Sequence, residues 1–127
     1  MSGKWSIKLG DELEAEFKSF PEIVQKELMK KMILLEKFGP DLGRPHADSL
    51  IGSKHSNMKE LRFDADGGVW RAAFAFDRTR QAIVLVAGDK RGANKRRFYK
   101  VLISRADRRF SAHLAKASKV KTAGIQS

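Results

Sequence analysis

The spacing of apolar and polar positions changes along the chain, and each change marks an element. Trp5-Ser6-Ile7-Lys8-Leu9 alternates and predicts a short strand. Asp11 stands where a helix N-cap would, followed by Glu12, Glu14 and Glu16, acids that favour the positive end of a helix. A second helix opens at Pro21 and carries Val24, Leu28, Met32 and Leu35 at helical spacing until Gly39-Pro40 stops it. Residues 39–57 hold Gly39, Pro40, Gly43, Pro45 and Gly52 among Ser, Asn and His, and predict a long connection of a kind that is often functional. Three strands follow at Met58–Asp64, Gly68–Asp77 and Gln81–Ala87, then a helix from Lys95 to about Leu114 with Phe98, Leu102, Ala106 and Phe110 on one face. The order predicts an α+β domain: a small, curved, mostly antiparallel sheet packed on an N-terminal helical hairpin, with a C-terminal helix. The domain is expected to span 1–115, and 116–127 to be a flexible basic tail.

The turns fix how the strands pair. Asp66-Gly67 suits a two-residue hairpin turn, because both residues tolerate positive φ. Such a turn sets Phe63 opposite Trp70 and Arg62 opposite Arg71. The second turn, Asp77-Arg78-Thr79-Arg80, pairs Phe76 with Gln81 and Phe74 with Ile83 in the simplest register. Parity then places Phe63, Trp70, Phe74, Phe76, Ile83 and Leu85 on one face, against the early helices, and Arg62, Arg71 and Lys90 on the other. Like charges directly opposed across a ladder repel, so a sheet that keeps two arginines there offers them an anion. A nucleic-acid phosphate fits.

Charge supports that reading. The 127 residues carry 26 Lys and Arg against 15 Asp and Glu, a net charge of +11, which is the footprint of a polyanion binder. The excess is concentrated: Gly88–Arg109 holds nine basic residues against Asp89 and Asp107, a net of +7, while Asp11–Asp41 is net −3. Lys95, Arg96 and Arg97 form the densest run, with Arg91 just before it, although such runs are more often a solvated face than a specific site. No stretch reaches the roughly 18 apolar residues of a membrane span, and Met1-Ser2-Gly3-Lys4-Trp5 opens no signal-peptide core, so a cytoplasmic protein without a membrane partner is expected. The absence of cysteine excludes disulfides and thiolate chemistry. His46, His55 and His113 lack metal-ligand spacing, so neither metal nor other cofactor is expected.

Gly39-Pro40, Glu60-Leu61-Arg62, Trp70-Arg71, Gly88-Asp89-Lys90 and Phe98-Tyr99, in that order over roughly Trp5 to Leu114, resemble the RelE/HigB superfamily of toxins, specifically its phage-derived HigB-like branch. The resemblance implies the toxin of a type II toxin–antitoxin pair: a metal-independent, ribosome-dependent endoribonuclease that cuts messenger RNA. It also implies the ribosome and mRNA as partners, and a cognate antitoxin, a small helix-turn-helix protein. In such chemistry the ribose 2′-hydroxyl attacks the neighbouring phosphate, which requires a base, cations and an acid. The resemblance assigns Arg71 to phosphate, Lys90 to a position held by arginine in RelE proteins, and Tyr99 to base stacking or proton transfer. RelE itself has paired lysines where Met58 and Glu60 stand here, which leaves the base open among Glu60, Lys54 and His55; histidine is suited by an ordinary pKa near 6.5. Arg62 is a further phosphate ligand, and Lys54, Arg91, Lys95, Arg96 and Arg97 are candidates for RNA binding. Two alternatives stand beside this one: a ParE-like toxin that poisons gyrase by binding, and a non-enzymatic nucleic-acid-binding phage accessory protein.

Overall fold

A five-stranded sheet with helices on both faces organises the computed structural model, which describes the backbone of residues 5–126 and the side chains of residues 5–117. The elements run β1 (Ser6–Leu9), α1 (Asp11–Phe17), α2 (Glu22–Phe38), a 3₁₀ turn (Gly39–Asp41), β2 (Ala47–Ser49), β3 (Met58–Ala65), β4 (Gly68–Phe76), β5 (Gln81–Asp89) and α3 (Lys95–Gln126). The strand order is β1-β5-β4-β3-β2, with β1 parallel to β5 and every other pair antiparallel.

The first hairpin has the predicted register. Asp66 and Gly67 take φ of 52° and 73°, as a type I′ turn requires, and Phe63 pairs with Trp70 and Arg62 with Arg71. The second differs by one residue: Phe76 pairs with Ala82 and Phe74 with Val84. Asp77 causes the difference. Its amide donates to the Gln81 carbonyl, its carboxylate accepts from the Thr79 and Gln81 amides, and Arg80 closes the loop at φ 61°. A shift of one residue exchanges the faces of a strand, so Ile83 and Leu85 leave the face predicted for them and pack under α3. A bulge between the Ala73↔Val86 and Phe74↔Val84 pairs restores the original phase further on.

Two cores result. Leu13, Val24, Leu28 and Leu35 pack against Leu61, Phe63, Phe74 and Val84 on one face. Leu102, Ala106 and Phe110 pack against Met58, Ala73, Ala75, Ile83 and Leu85 on the other. Burying a side chain the size of Phe74 or Phe110 contributes on the order of 2–3 kcal/mol, so both layers matter. The face predicted to be open is therefore largely covered by α3.

Other expectations are refined. The two N-terminal helices do not form a clear hairpin: α1 is a short helix against β5, and α2 lies against β3. The long connection contains β2, which pairs with β3. Gly39 ends α2 at φ 57°, where a Cβ would meet the Trp5 ring at 2.4 Å, so only glycine fits there. Leu114 is the last residue packed against the second core, and the helix backbone continues to Gln126 through a stretch rich in the helix-favouring residues Ala and Lys. The expected tail, 116–127, falls almost wholly outside the residues whose side chains are described.

Candidate functional site

Alternation along β3 sets Glu60 and Arg62 on the same face, and the Arg62↔Arg71 pairing brings Arg71 beside them. The anion inferred for the arginines is therefore partly internal. The Glu60 carboxylate is 4% exposed. Its Oε2 accepts from Arg62 Nη1 at 2.7 Å, and its Oε1 stands 3.9 Å from Arg71 Nε. Oε1 is the one buried side-chain N or O atom without a hydrogen-bond partner among the described residues. A buried carboxylate oxygen without a donor is costly and uncommon. Its polar neighbours are Arg71 Nε and the Tyr99 phenol, which shares a hydrogen bond with this carboxylate.

Arg71 is buried between sheet and helix at 6% exposure, which the sequence, reading it as an open-face residue, did not predict. Its Nη1 donates to the Trp70 carbonyl at 2.9 Å and its Nε to the Tyr99 hydroxyl at 3.3 Å. The N-terminal end of α3 supplies two aromatic rings 5.3 Å apart: Phe98 packs against Gly88, and Tyr99 turns toward Arg71. Both are half-buried. Burial raises the Tyr99 phenol above its ordinary pKa, opposed by the Arg71 hydrogen bond and aided by the Glu60 charge and a hydrogen bond to the Glu60 carboxylate. It therefore stays neutral.

Lys90 completes the group. Its amide continues the β4–β5 ladder onto the Val69 carbonyl, and its Nζ lies 5.8 Å from the centre of the Tyr99 ring. Burial lowers its pKa, as do Arg71, Lys95 and Arg62, against the opposing pull of Glu60. Three cations, one carboxylate and one phenol thus meet at the rim between the sheet and the start of α3.

Not every sequence candidate joins them. His55 Nε2 pairs with the Ser111 hydroxyl at 3.0 Å, and the ring packs edge-on against Phe110. Ser111 lies twelve residues beyond Tyr99 on α3, about 18 Å along the axis. Lys54 sits on the same remote loop, its amide bound to the Asp107 carboxylate, which also holds Ser53 Oγ. Neither lies in the cluster that holds Glu60. Arg91 is engaged as well: its Nη1 donates to the Gly67 carbonyl at 2.6 Å and braces the hairpin turn. Lys95, Arg96 and Arg97 are exposed in the first turn of α3, which has no acidic residue. Cations at the positive end of a helix are unfavourable by themselves. Together with the helix end they concentrate positive potential beside Lys90.

Sequence reasoning missed Asp89. Its Oδ1 accepts from the Val69 and Arg91 amides at 3.0 and 2.9 Å, fixing the hairpin base against the end of β5 that carries Lys90. The signal was Gly68, where a Cβ would lie 2.5 Å from Asp89 Oδ2. Among the described residues no group of three or more His, Asp or Glu side chains is placed to hold a metal ion, and no helix is long and apolar enough to cross a membrane.

Comparison with known proteins bears on the whole assembly. The family model described as "Phage derived protein Gp49-like (DUF891)" matches residues 15–111. Two proteins of Mycobacterium tuberculosis (strain ATCC 25618 / H37Rv) are similar in sequence. "Putative toxin HigB2" is 46% identical over 89 residues, 69% of this chain. "Putative toxin HigB3" is 50% identical over 82 residues, 65% of this chain. The match spans 44% of the length of the first and 69% of the second. The Escherichia coli toxin RelE, solved as a mutant in its free state, superposes with a TM-score of 0.57 over 80% of this chain and 95% of its own. At 11% identity that likeness shows the fold. With the family model covering most of the chain and relatives this close, the protein belongs to the Gp49-like family, to which the HigB toxins are similar, and has a RelE-like fold.

Proposed function

We propose that the chain is the toxin of a type II toxin–antitoxin pair and acts as a metal-independent endoribonuclease on messenger RNA held by the ribosome. The observation that carries the reading is Glu60 Oε1, buried without a donor within 4 Å of Arg71. A carboxylate oxygen without a full donor of its own can take the proton of a hydroxyl once the side chains covering it move aside. The arginines and Lys90 supply the fixed positive charge that a pentavalent phosphorane needs.

Glu60 accepts the proton of the 2′-hydroxyl as O2′ bonds to phosphorus. Arg71 and Arg62 hold the non-bridging oxygens as their charge grows. The bond from phosphorus to O5′ breaks, and O5′ takes a proton from Lys90, whose depressed pKa makes it the readier donor. Tyr99, kept neutral by burial, orients Arg71 and offers its ring to a base. The products are a 2′,3′-cyclic phosphate and a 5′-hydroxyl, and no metal ion enters. A cognate antitoxin of small helix-turn-helix type would hold the enzyme inactive in the cytoplasm.

The test is induction in bacteria, with mapping of mRNA 5′-ends beside an assay of DNA supercoiling. New 5′-ends within translated frames support the nuclease. Altered supercoiling with intact messages would support the ParE-like alternative instead, and neither change would leave a binder.

A further inference from the structure

No side-chain bond holds the Lys90 ammonium in place. Its Nζ has the Tyr99 ring at 5.8 Å and, among the described residues, no hydrogen-bond partner. Where the head sits therefore depends on where residue 90 leaves β5 and on how firmly that point of the main chain is fixed. The Lys90 amide donates to the Val69 carbonyl at 2.8 Å, and its carbonyl accepts from the Ala93 amide at 3.1 Å. The Asp89 carboxylate ties down what lies on either side. Its Oδ1 accepts the Val69 amide across the ladder at 3.0 Å and the Arg91 amide beyond Lys90 at 2.9 Å.

The hairpin keeps room for this carboxylate. A Cβ on Gly68 would stand 2.5 Å from one of its oxygens and 2.9 Å from the other, and the two amides leave a short side chain no second place to go. Arg91 closes over the same turn, with Nη1 donating to the Gly67 carbonyl at 2.6 Å. Bonds from amides to an ionised carboxylate are roughly twice as strong as neutral ones. The charges that weigh on the lysine itself are those of Arg71, Lys95, Arg62 and Glu60. Asp89 acts on it through the backbone.

We propose that Asp89 is a positioning residue: its carboxylate clamps the Asp66-Gly67 hairpin to the end of β5 and so holds the Lys90 ammonium against the Tyr99 ring. The consequence for cleavage rests on the reading of Lys90 as the acid; the placement itself does not. Misplacing a reacting group by about 1 Å can cost on the order of a hundredfold in rate. A mere brace, once removed, would lower stability and leave the ammonium where it was.

The experiment uses the full chain labelled with carbon-13 at lysine Cε, with the Lys90 resonance assigned through Lys90→Arg and its NMR titration followed beside message cleavage on ribosomes. In the wild type the Lys90 signal should titrate below the exposed lysines. Asp89→Asn keeps an oxygen for both amides, so it should preserve that titration and hold cleavage within about threefold of wild type. Asp89→Ala should bring the Lys90 signal up to join the other lysines, and should lower kcat roughly tenfold to a hundredfold with KM within about twofold. The falling limb of the pH–rate profile should move to higher pH with it. Gly68→Ala, which crowds the carboxylate without removing its charge, should do the same. A Lys90 titration that is the same in Asp89→Ala and Gly68→Ala as in the wild type overturns the proposal whatever happens to the RNA, as does equal loss of cleavage in Asp89→Asn and Asp89→Ala. Full cleavage by Lys90→Ala would instead defeat the reading of Lys90 as the acid, and the NMR titration would still decide whether Asp89 places it.

Discussion

Two polar clusters along α3 are built to opposite rules. Along its middle, Arg109, Asp107 and His113 each have a close partner. Arg109 binds both oxygens of Glu16 and the Leu85 carbonyl, Asp107 takes Ser53 and the Lys54 amide, and His113 meets Asp77 at 3.1 Å. At its N-terminal end, Arg62, Arg71 and Lys90 share the single carboxylate of Glu60, one oxygen of which has no donor. Satisfied buried networks rigidify a fold. A network short of one partner, with excess positive charge, is adapted to receive an anion and a proton. The difference separates the charges that hold α3 in place from those that, on the proposed function, meet a substrate.

Substitutions can break the contrast from either end. The largest effect is expected from Glu60→Gln, which keeps the shape and the bond to Arg62 but removes the base. Message cleavage should fall on the order of 10²- to 10⁴-fold, while the thermal midpoint, read by circular dichroism, shifts by only a few degrees. Arg71 comes next, and its burial decides the choice of variant. Alanine would leave a cavity beside a less compensated Glu60, so Arg71→Lys is the cleaner probe. It keeps the charge, loses the fork of donors, and should lower the cleavage rate about a hundredfold.

The satisfied cluster should respond the other way. Arg109→Met removes bonds to Glu16 and to the Leu85 carbonyl and should cost about 2 kcal/mol, lowering the thermal midpoint by roughly 8 °C. Cleavage measured well below that midpoint should be unchanged. The same variant carries a pH signature. Arg109 holds the Glu16 carboxyl below its ordinary value of 4.5, so the pair adds stability above that pH and loses it as pH falls through the native value. Acid unfolding curves should therefore show a shallower loss in Arg109→Met.

The smallest effect sought is a displaced limb in the pH–rate profile. Lys90 must be protonated to act as the acid, so cleavage should decline as pH rises through a pKa depressed below that of an ordinary lysine by burial and by Arg71. In Lys90→Arg that limb should disappear.

Legibility in the sequence followed the same division. The first hairpin was readable because Asp66-Gly67 demands one turn, and that turn alone delivers the Arg62↔Arg71 pair. The second was not, because nothing in Asp77-Arg78-Thr79-Arg80 announces that a non-glycine, Arg80, takes positive φ and adds a residue to the loop. The resulting slip moved Ile83 and Leu85 to the α3 face and hid the fact that this face is covered. Glu60 was a candidate, but its part as internal counter-ion to the arginines was overlooked, although it stands two residues before Arg62 on the same face. His55 looked suitable by chemistry alone; only the tertiary path of the 50–57 loop, pinned by Asp107 and Ser111, separates it from the cluster. Long-range side-chain anchors of that kind leave no periodic trace.

The central claim is that the Glu60–Arg71–Lys90–Tyr99 cluster makes the RNA's own 2′-hydroxyl the nucleophile. The direct measurement is cleavage, on translating ribosomes, of a message bearing a single 2′-deoxy nucleotide at the scissile position, with the product ends of the unmodified message identified by mass spectrometry. The account predicts no cutting at the modified bond and a 2′,3′-cyclic phosphate upstream of the unmodified one. Cutting of the 2′-deoxy message at the same bond would contradict it.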